Sequence, residues 1–417
     1  MAGRLSPLEN PVEIWHDGSA LHAERGEPLA CALIAENRLP IARSTKLHRA
    51  RGPYCMRGAC DGCLARVNGV PNVMTCQEPA FGGERIETQN VLGSRELDLL
   101  QASDFLFPGG IDHHRLLAGI RGVSGLLQAF ARRVAGLGEL PDAVQEPRQA
   151  VQRELDVLVV GGGRAGLVAA RELGRRALLV DDQPELGGSL AALEPAQASA
   201  LANAATQSGA ELLPRTTAFA LSREPDDGSG RVTAVLAGPT GLIHARCHSV
   251  LLATGCHDPV ALFENNDLPG VISARAALRL WRRGIFIGKR LALLGTGRFA
   301  ERFLELAGAS LELVIHPAQA AVRATGRGHV SALVMREGDG QRRLRVDGVL
   351  VEGAGAPSFE LSVQAGARTV FDAGRGYVPQ SEEDGRVAPR VFCAGSCRSI
   401  GDSAADGERV ARALSAR

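Results

Sequence analysis

Neither sign of charge dominates this sequence: Lys plus Arg total 47 against 46 Asp plus Glu, a net +1. Binders of nucleic acid or anionic membrane carry a basic footprint, so bulk electrostatics recruits neither partner here. Long apolar runs are also missing. Nowhere do the ~18 apolar residues of a spanning helix follow one another, so no membrane span is expected. The opening MAGRLSPLENPVEIW has neither the basic nor the apolar region of a secretory signal, which makes the cytoplasm the expected compartment. Cysteine is too sparse for a secreted disulfide scaffold, with nine in 417 residues. Low-complexity tracts and short-period repeats are absent. So are a G-x-S-x-G elbow, a metalloprotease motif and a P-loop, which leaves no evident base or nucleophile and hands the hard chemistry to cofactors.

What the sequence does have is length and glycine. At roughly 150 residues per domain the chain predicts two to three domains. Its 50 glycines exceed the usual ~7% and follow no collagen-like period, so they serve turns and close backbone approaches. Alternating residues around Asp17-Gly18 predict a hairpin, Pro28-Leu29 opens a short helix, and a cysteine-rich loop follows. From 96 to 153 the pattern is a helical connector ending in a Pro-containing polar linker. Two βαβ openings come next: DVLVV-GGGRAG-LVAARELGRR-ALLVDD, and RLALL-GTGRFA-ERFLELAG-LELVIHP.

The cysteines are the most specific signal. Cys55, Cys60 and Cys63 have the spacing C-x4-C-x2-C, and Cys76 follows. This is the plant-type spacing of a 2Fe-2S cluster, in which four thiolates share two irons. Gly58 and Gly62 lie inside the loop, where a chain wrapped round a cluster needs unusual dihedrals. The competing reading is a four-Cys zinc site, although such sites usually present two C-x2-C knuckles and only one such pair exists here. The stretch Arg43, Lys46, His48, Arg49, Arg51 before the loop reads either as a solvated basic edge or as a means of neutralising a cluster, binding a flavin phosphate or docking a partner. Adjacent His113 and His114 point to different helix faces, so they read as hydrogen-bonding or capping residues.

Gly161, Gly163, Arg164, Ala165 and Gly166 belong to a G-x-G-x-x-G turn between strand and helix, and Asp181 ends the next strand about 20 residues on. That is a dinucleotide fingerprint: pyrophosphate at the helix N-terminus, an acid for the ribose 2′-hydroxyl. The second turn, Gly295 to Ala300, has no acid after Val314-Ile315-His316, so it reads as a vestigial fold without its ligand, with NAD(H) binding as the alternative. Two further apolar strands end in Thr254-Gly255 and Gly395-Ser396, the type of segment that brings backbone close to a flavin, with Ser396 where flavoproteins usually carry Asp. No C-x2-C pair lies beside these segments, which counts against a disulfide reductase.

The order of these parts, with ARSTKLHRARG before the first cysteine, FPGGIDHH at 107–114, VDDQPELGGSL at 180–190 and ENNDLPGVISA at 264–274, resembles the alpha subunits of the heterotetrameric sarcosine oxidase family. Hydrogen cyanide synthase, the opine oxidases and multimeric amino-acid dehydrogenases are its relatives. The folate-binding region into which sarcosine oxidase alpha continues has no counterpart up to Arg417. The resemblance adds Asp182 and Gly188 to the cofactor set. It implies FAD in the first dinucleotide site, with NAD or ATP as the alternatives used by relatives, and FMN at an interface with a sarcosine-oxidase-beta-like flavoprotein subunit.

The fold class expected is α/β, with two nested Rossmann-like dinucleotide-binding domains preceded by a small α+β ferredoxin-like (β-grasp) domain. Its boundaries are 1–95 for the 2Fe-2S domain, 96–153 for the connector, 154–275 with 372–417 for the FAD domain, and 276–371 for the inserted NAD-like domain. The expected function is the electron-transferring alpha subunit of a flavoprotein dehydrogenase or oxidase acting on C–N bonds of amino acids, opines or related amines, with no substrate acid–base residue of its own. A stand-alone NAD(P)H-dependent FAD/2Fe-2S reductase and a non-catalytic nucleotide-binding scaffold are the alternatives.

Overall fold

The computed structural model describes residues 2–44, 48–91, 141, 143, 149–223 and 230–416. Most of the expected connector, with His113 and His114, lies outside the described residues, as does Lys46 of the basic stretch. Two compact units divide the chain, one formed by residues 1–145 and 260–352, the other by 146–259 and 353–417.

In the first unit the N-terminal module is built on a five-stranded sheet in the order Ser19–Glu24, Pro11–His16, Arg85–Glu87, Leu64–Val67, Val70–Met74. The hairpin turns at Asp17 and Gly18, both at positive φ, as the sequence predicts. Helix Leu29–Ala35 buries all seven of its residues. Leu29 and Leu33 pack against Ile14, Leu21, Val67 and Ile86, each fully buried leucine contributing about 1.5–3 kcal/mol. This grasp of helix by sheet leaves residues 52–63 as a loop rather than a strand, and that loop carries three of the four cysteines.

The rest of the first unit is a parallel sheet, Val271–Ser273, Gly348–Val351, Arg290–Leu294, Glu312–His316, beside a three-stranded antiparallel sheet, Ala321–Thr325, Ala332–Glu337, Gly340–Arg345. Because Val271 to Ser273 pair with Val349 to Val351, that strand belongs here. The chain therefore passes between the two units near 259 and 353, where the expected bounds of the FAD domain were 275 and 372.

The second unit is an eight-stranded sheet in which Glu211–Leu213, Ala177–Val180, Ala150–Val160, Gly241–Leu252 and Val391–Cys393 run parallel. Apolar runs such as Val157 to Val160 are buried on both faces, as a covered parallel sheet requires. Helices Arg164–Leu173 and Ser403–Ser415 pack together on one face, so closely that a Cβ added at Gly407 would lie 2.3 Å from the Ala165 carbonyl oxygen. No described helix is long and apolar enough to cross a membrane.

Candidate functional site: a cysteine cradle and two glycine loops

The four cysteines come together as the spacing predicts. The Cys55 sulfur is hydrogen-bonded to those of Cys60 and Cys76, and the Cys63 sulfur to that of Cys76. Among the described residues, no three His, Cys, Asp or Glu side chains gather around a single ion-sized point. The contacts run as a chain instead, Cys60 to Cys55 to Cys76 to Cys63, so all four sulfurs line one cradle, and four thiolates are what a 2Fe-2S cluster takes as ligands. Amides turn inward: Gly58 N donates to Cys76 Sγ at 3.2 Å and Ala59 N to Cys55 Sγ at 3.3 Å. Such donors stabilise negative sulfur and orient ligands. As thiols the four are mutually perturbed. The Cys60 and Cys76 thiols are pushed up, first by hydrogen bonding to their cysteine neighbours and then by burial, while Cys55 and Cys63 are held down by the thiols that donate to them. Four sulfurs crowded so closely, those of Cys55, Cys63 and Cys76 buried and that of Cys60 half-buried, fit a shared cationic centre.

The loop geometry also explains its glycines. Gly58 sits at φ +71, and a Cβ at Gly62 would fall 2.2 Å from the Gly52 carbonyl oxygen. The basic stretch before the loop is used internally. Arg49 and Arg51 hold Asp267 at 2.7 and 3.1 Å, and Arg43 donates to the His48 carbonyl at 3.2 Å.

In the second unit, the carboxyl ends of the parallel strands converge on the first glycine loop. Gly161 takes φ +107, and Gly166 approaches so near that an added Cβ would lie 1.9 Å from the Gly161 oxygen. A Cβ at Gly163 would meet nothing within 4 Å, which leaves the space over the helix N-terminus open, as a pyrophosphate needs. Arg164 is exposed and Ala165 buried at the first helical positions. Gly188, at φ +55, lies against Gly163, where an added Cβ would stand 3.1 Å from the Gly163 Cα. Both oxygens of Asp181 accept backbone amides, from Gly162 at 2.5 Å and Gln183 at 2.8 Å, so this side chain shapes the loop. Asp182 beside it is exposed.

Thr254 and Gly255 follow the strand ending at Leu252; Thr254 Oγ1 donates to the Ser358 carbonyl at 2.7 Å. Gly395 and Ser396 lie opposite, with Ser396 Oγ 3.7 Å from where a Gly255 Cβ would be. The sequence reading missed Asp406. Its carboxylate, buried, accepts from Gly395 N at 2.8 Å and pairs with Arg398 at 2.7 Å, and Arg409 adds a further contact. The only sequence signal was an acid inside the terminal helix, on its buried face.

The second glycine loop has the same backbone and different contents. Gly295 N bonds the His316 carbonyl as Gly161 N bonds that of Val180, but Glu352, buried, turns into the loop and accepts from Ala300 N at 2.8 Å.

Residues 9–91 match the family model described as a 2Fe-2S iron-sulfur cluster binding domain, so the cysteine cradle lies in a cluster-binding module. Over 97% of its length the chain is 28% identical to sarcosine oxidase subunit alpha of Rhizobium meliloti (strain 1021). Over 71% it is 30% identical to the same subunit of Corynebacterium sp. (strain U-96). The chain belongs to the sarcosine oxidase alpha-subunit family. It covers 46% and 29% of these two family members, so it spans less than half their length. The solved structure of L-proline dehydrogenase from P. horikoshii shares the fold, with a TM-score of 0.73 at 21% identity over 99% of this chain and 74% of that one.

Two of the remaining thiols of this alpha-family chain have a plainer reading. Burial pushes Cys31 and Cys247 up to about 12, so both stay protonated at neutral pH and behave as small apolar residues.

Proposed function

We propose that this chain is the electron-transferring alpha subunit of a multi-subunit flavoprotein dehydrogenase or oxidase that acts on C–N bonds of amino acids, opines or related amines. The observation that carries the reading is the pairing, in one chain, of a four-sulfur cradle with an open glycine loop at the carboxyl edge of a parallel sheet. Cys55, Cys60, Cys63 and Cys76 would hold the cluster. The amides from Gly161 to Gly166 would hold the pyrophosphate of FAD, with Asp182 at the ribose and Thr254, Gly255, Gly395 and Ser396 near the flavin. A flavin exchanges electrons in pairs and a 2Fe-2S cluster one at a time, so the two together convert one into the other. The chain's own residues bind and orient; oxidation of the amine falls to a sarcosine-oxidase-beta-like partner, with FMN at their interface.

The test is the purified full chain. It should be brown-yellow, with overlapping flavin and iron–sulfur absorption, and heating should release FAD, identified by mass. Release of ATP or NAD instead would move the first site to the nucleotide used by other relatives. A colourless, zinc-containing protein would overturn the reading. Co-purification with an amine-oxidase-like flavoprotein would support the partner assignment.

A further inference from the structure

The two glycine loops can be superposed residue by residue through their hydrogen bonds. Ala253 N bonds the Val160 carbonyl at 2.7 Å, and Glu352 N bonds the Leu294 carbonyl at 2.8 Å. A Cβ at Gly161 would meet the Ala253 oxygen at 2.4 Å, and one at Gly295 the Glu352 oxygen at 2.2 Å. Ala253 and Glu352 are thus the same position in the two units, the first residue after the strand that supports the loop. At the first loop that position is a methyl group. At the second it is a carboxylate.

The difference falls where phosphate belongs. Gly163 is open to 4 Å, but at its counterpart Gly297 an added Cβ would stand 3.1 Å from the Glu352 carboxyl. The Ala300 amide, at the sixth position of the motif, already donates to Glu352 Oε2 at 2.8 Å. A helix N-terminus offers free amides and a partial positive charge to an anion, and here an internal anion has taken both. The ribose end is changed as well. The strand Glu312–His316 is followed by Pro317 and Ala318 where Ala177–Val180 is followed by Asp181 and Asp182.

We propose that Glu352 fills, from within the fold, the phosphate seat of the second glycine loop, closes it to NAD(H), and so confines dinucleotide binding to the first glycine loop. A diphosphate arriving there would meet a buried like charge and lose the amide it needs, which is rejection by repulsion as well as by missing contacts. The last clause rests on the first loop holding a dinucleotide; the closure of the second does not.

The experiment titrates NADH into the cofactor-replete full chain and its variants, reading moles bound per chain, while flavin content is measured separately by heat release. The unaltered chain should take up no NADH at the second loop at about 1 mM, the upper end of usual cofactor requirements. Glu352→Ala, which copies Ala253, should gain one NADH per chain, at least about tenfold tighter than the unaltered chain, as expected when a like charge leaves contact distance. Glu352→Gln keeps an acceptor for Ala300 N without the charge, and should gain binding to a lesser degree; it decides the matter if Glu352→Ala does not fold. The reverse exchange, Ala253→Glu, should expel the nucleotide of the first loop.

Uptake of NADH by the unaltered chain as tight as that of Glu352→Ala would overturn the proposal. So would folded Glu352 variants, by circular dichroism and the cluster spectrum, that gain nothing. A chain without flavin would overturn the reading of the first loop and leave the NADH result standing.

Discussion

Asp406 is the residue whose removal should most disturb the second unit. Its carboxylate is 4% exposed and bonds Gly395 N and Arg398, which is itself 11% exposed. Arg398 also donates to Ser381 Oγ at 2.7 Å and to the Glu382 carbonyl at 2.9 Å, so it cannot swing into water once its partner is lost. Arg409 is half exposed, and a surface pair of that kind adds at most about 1 kcal/mol. The buried pair decides the magnitude. Breaking one by deleting a partner costs about 3–5 kcal/mol, because a buried charge is left without its counterion and here a buried amide without its acceptor. At about 2–4 °C per kcal/mol for a unit of this size, Asp406→Ala should lower the second unit's melting temperature by roughly 6–20 °C. Asp406→Asn keeps an acceptor and should lose about half as much. Scanning calorimetry on the full chain, with flavin retention read in parallel, measures both. A fall of under about 2 °C in Asp406→Ala would show that the Gly395–Asp406–Arg398 junction does not hold the strand end in place.

Two further substitutions test other parts of the structure. Gly62→Ala drives a Cβ toward the Gly52 oxygen, so the cysteine loop must open and iron and acid-labile sulfide per chain should fall; full cluster content would refute the close approach. Asp347 is a pH test. Burial would raise its pKa, but the Lys289 and Arg290 amides and the Arg290 guanidinium outweigh this and hold it at about 2 against an ordinary 3.8. A depressed carboxylate contributes stability that is present above its unfolded pKa and is lost as pH falls through the folded one. Asp347→Asn should therefore be less stable than the parent above about pH 4 and converge with it near pH 2, by denaturant titration across that range.

What could be read from the sequence was what the chain settles locally. The spacing of Cys55, Cys60 and Cys63 is a loop property, and the strand-turn-helix around Gly161 to Gly166 follows from one glycine's left-handed φ and another's close approach. The domain boundary was harder, because ENNDLPGVISA gives no local sign that Val271 to Ser273 pair with Val349 to Val351, nearly eighty residues on. Site roles divide in the same way. Asp181 stands where the fingerprint wants an acid, but only the fold shows both its oxygens engaged on loop amides. Glu352 and Asp406 were hard to read from sequence: Glu352, after an apolar run, reads as an exposed strand end, and Asp406, within a helix, as an exposed helix acid, until the fold buries them.

A glycine loop whose seat is filled still has a structural task. The parallel sheet that ends in Glu352 belongs to the same unit as the cysteine module, and the two are joined at several points. Gly3 and Arg4 pair with Phe286 and Ile285, Ser273 N donates to the Tyr54 carbonyl at 3.1 Å, and Arg49 and Arg51 share Asp267. Gly52 runs against Pro269 with no room for a side chain, 2.8 Å separating that proline's Cβ from where a Gly52 Cβ would stand. Tyr54 and Gly52 are the residues that lead into Cys55, so the cluster loop is fixed at its entrance by this sheet. A cluster that passes electrons must be held at a set distance from its neighbours, and a rigid sheet does that whether or not it binds a nucleotide. An internal carboxylate at the helix N-terminus stabilises the sheet–helix junction by the same amide and dipole terms that a phosphate would, and needs no ligand to do so.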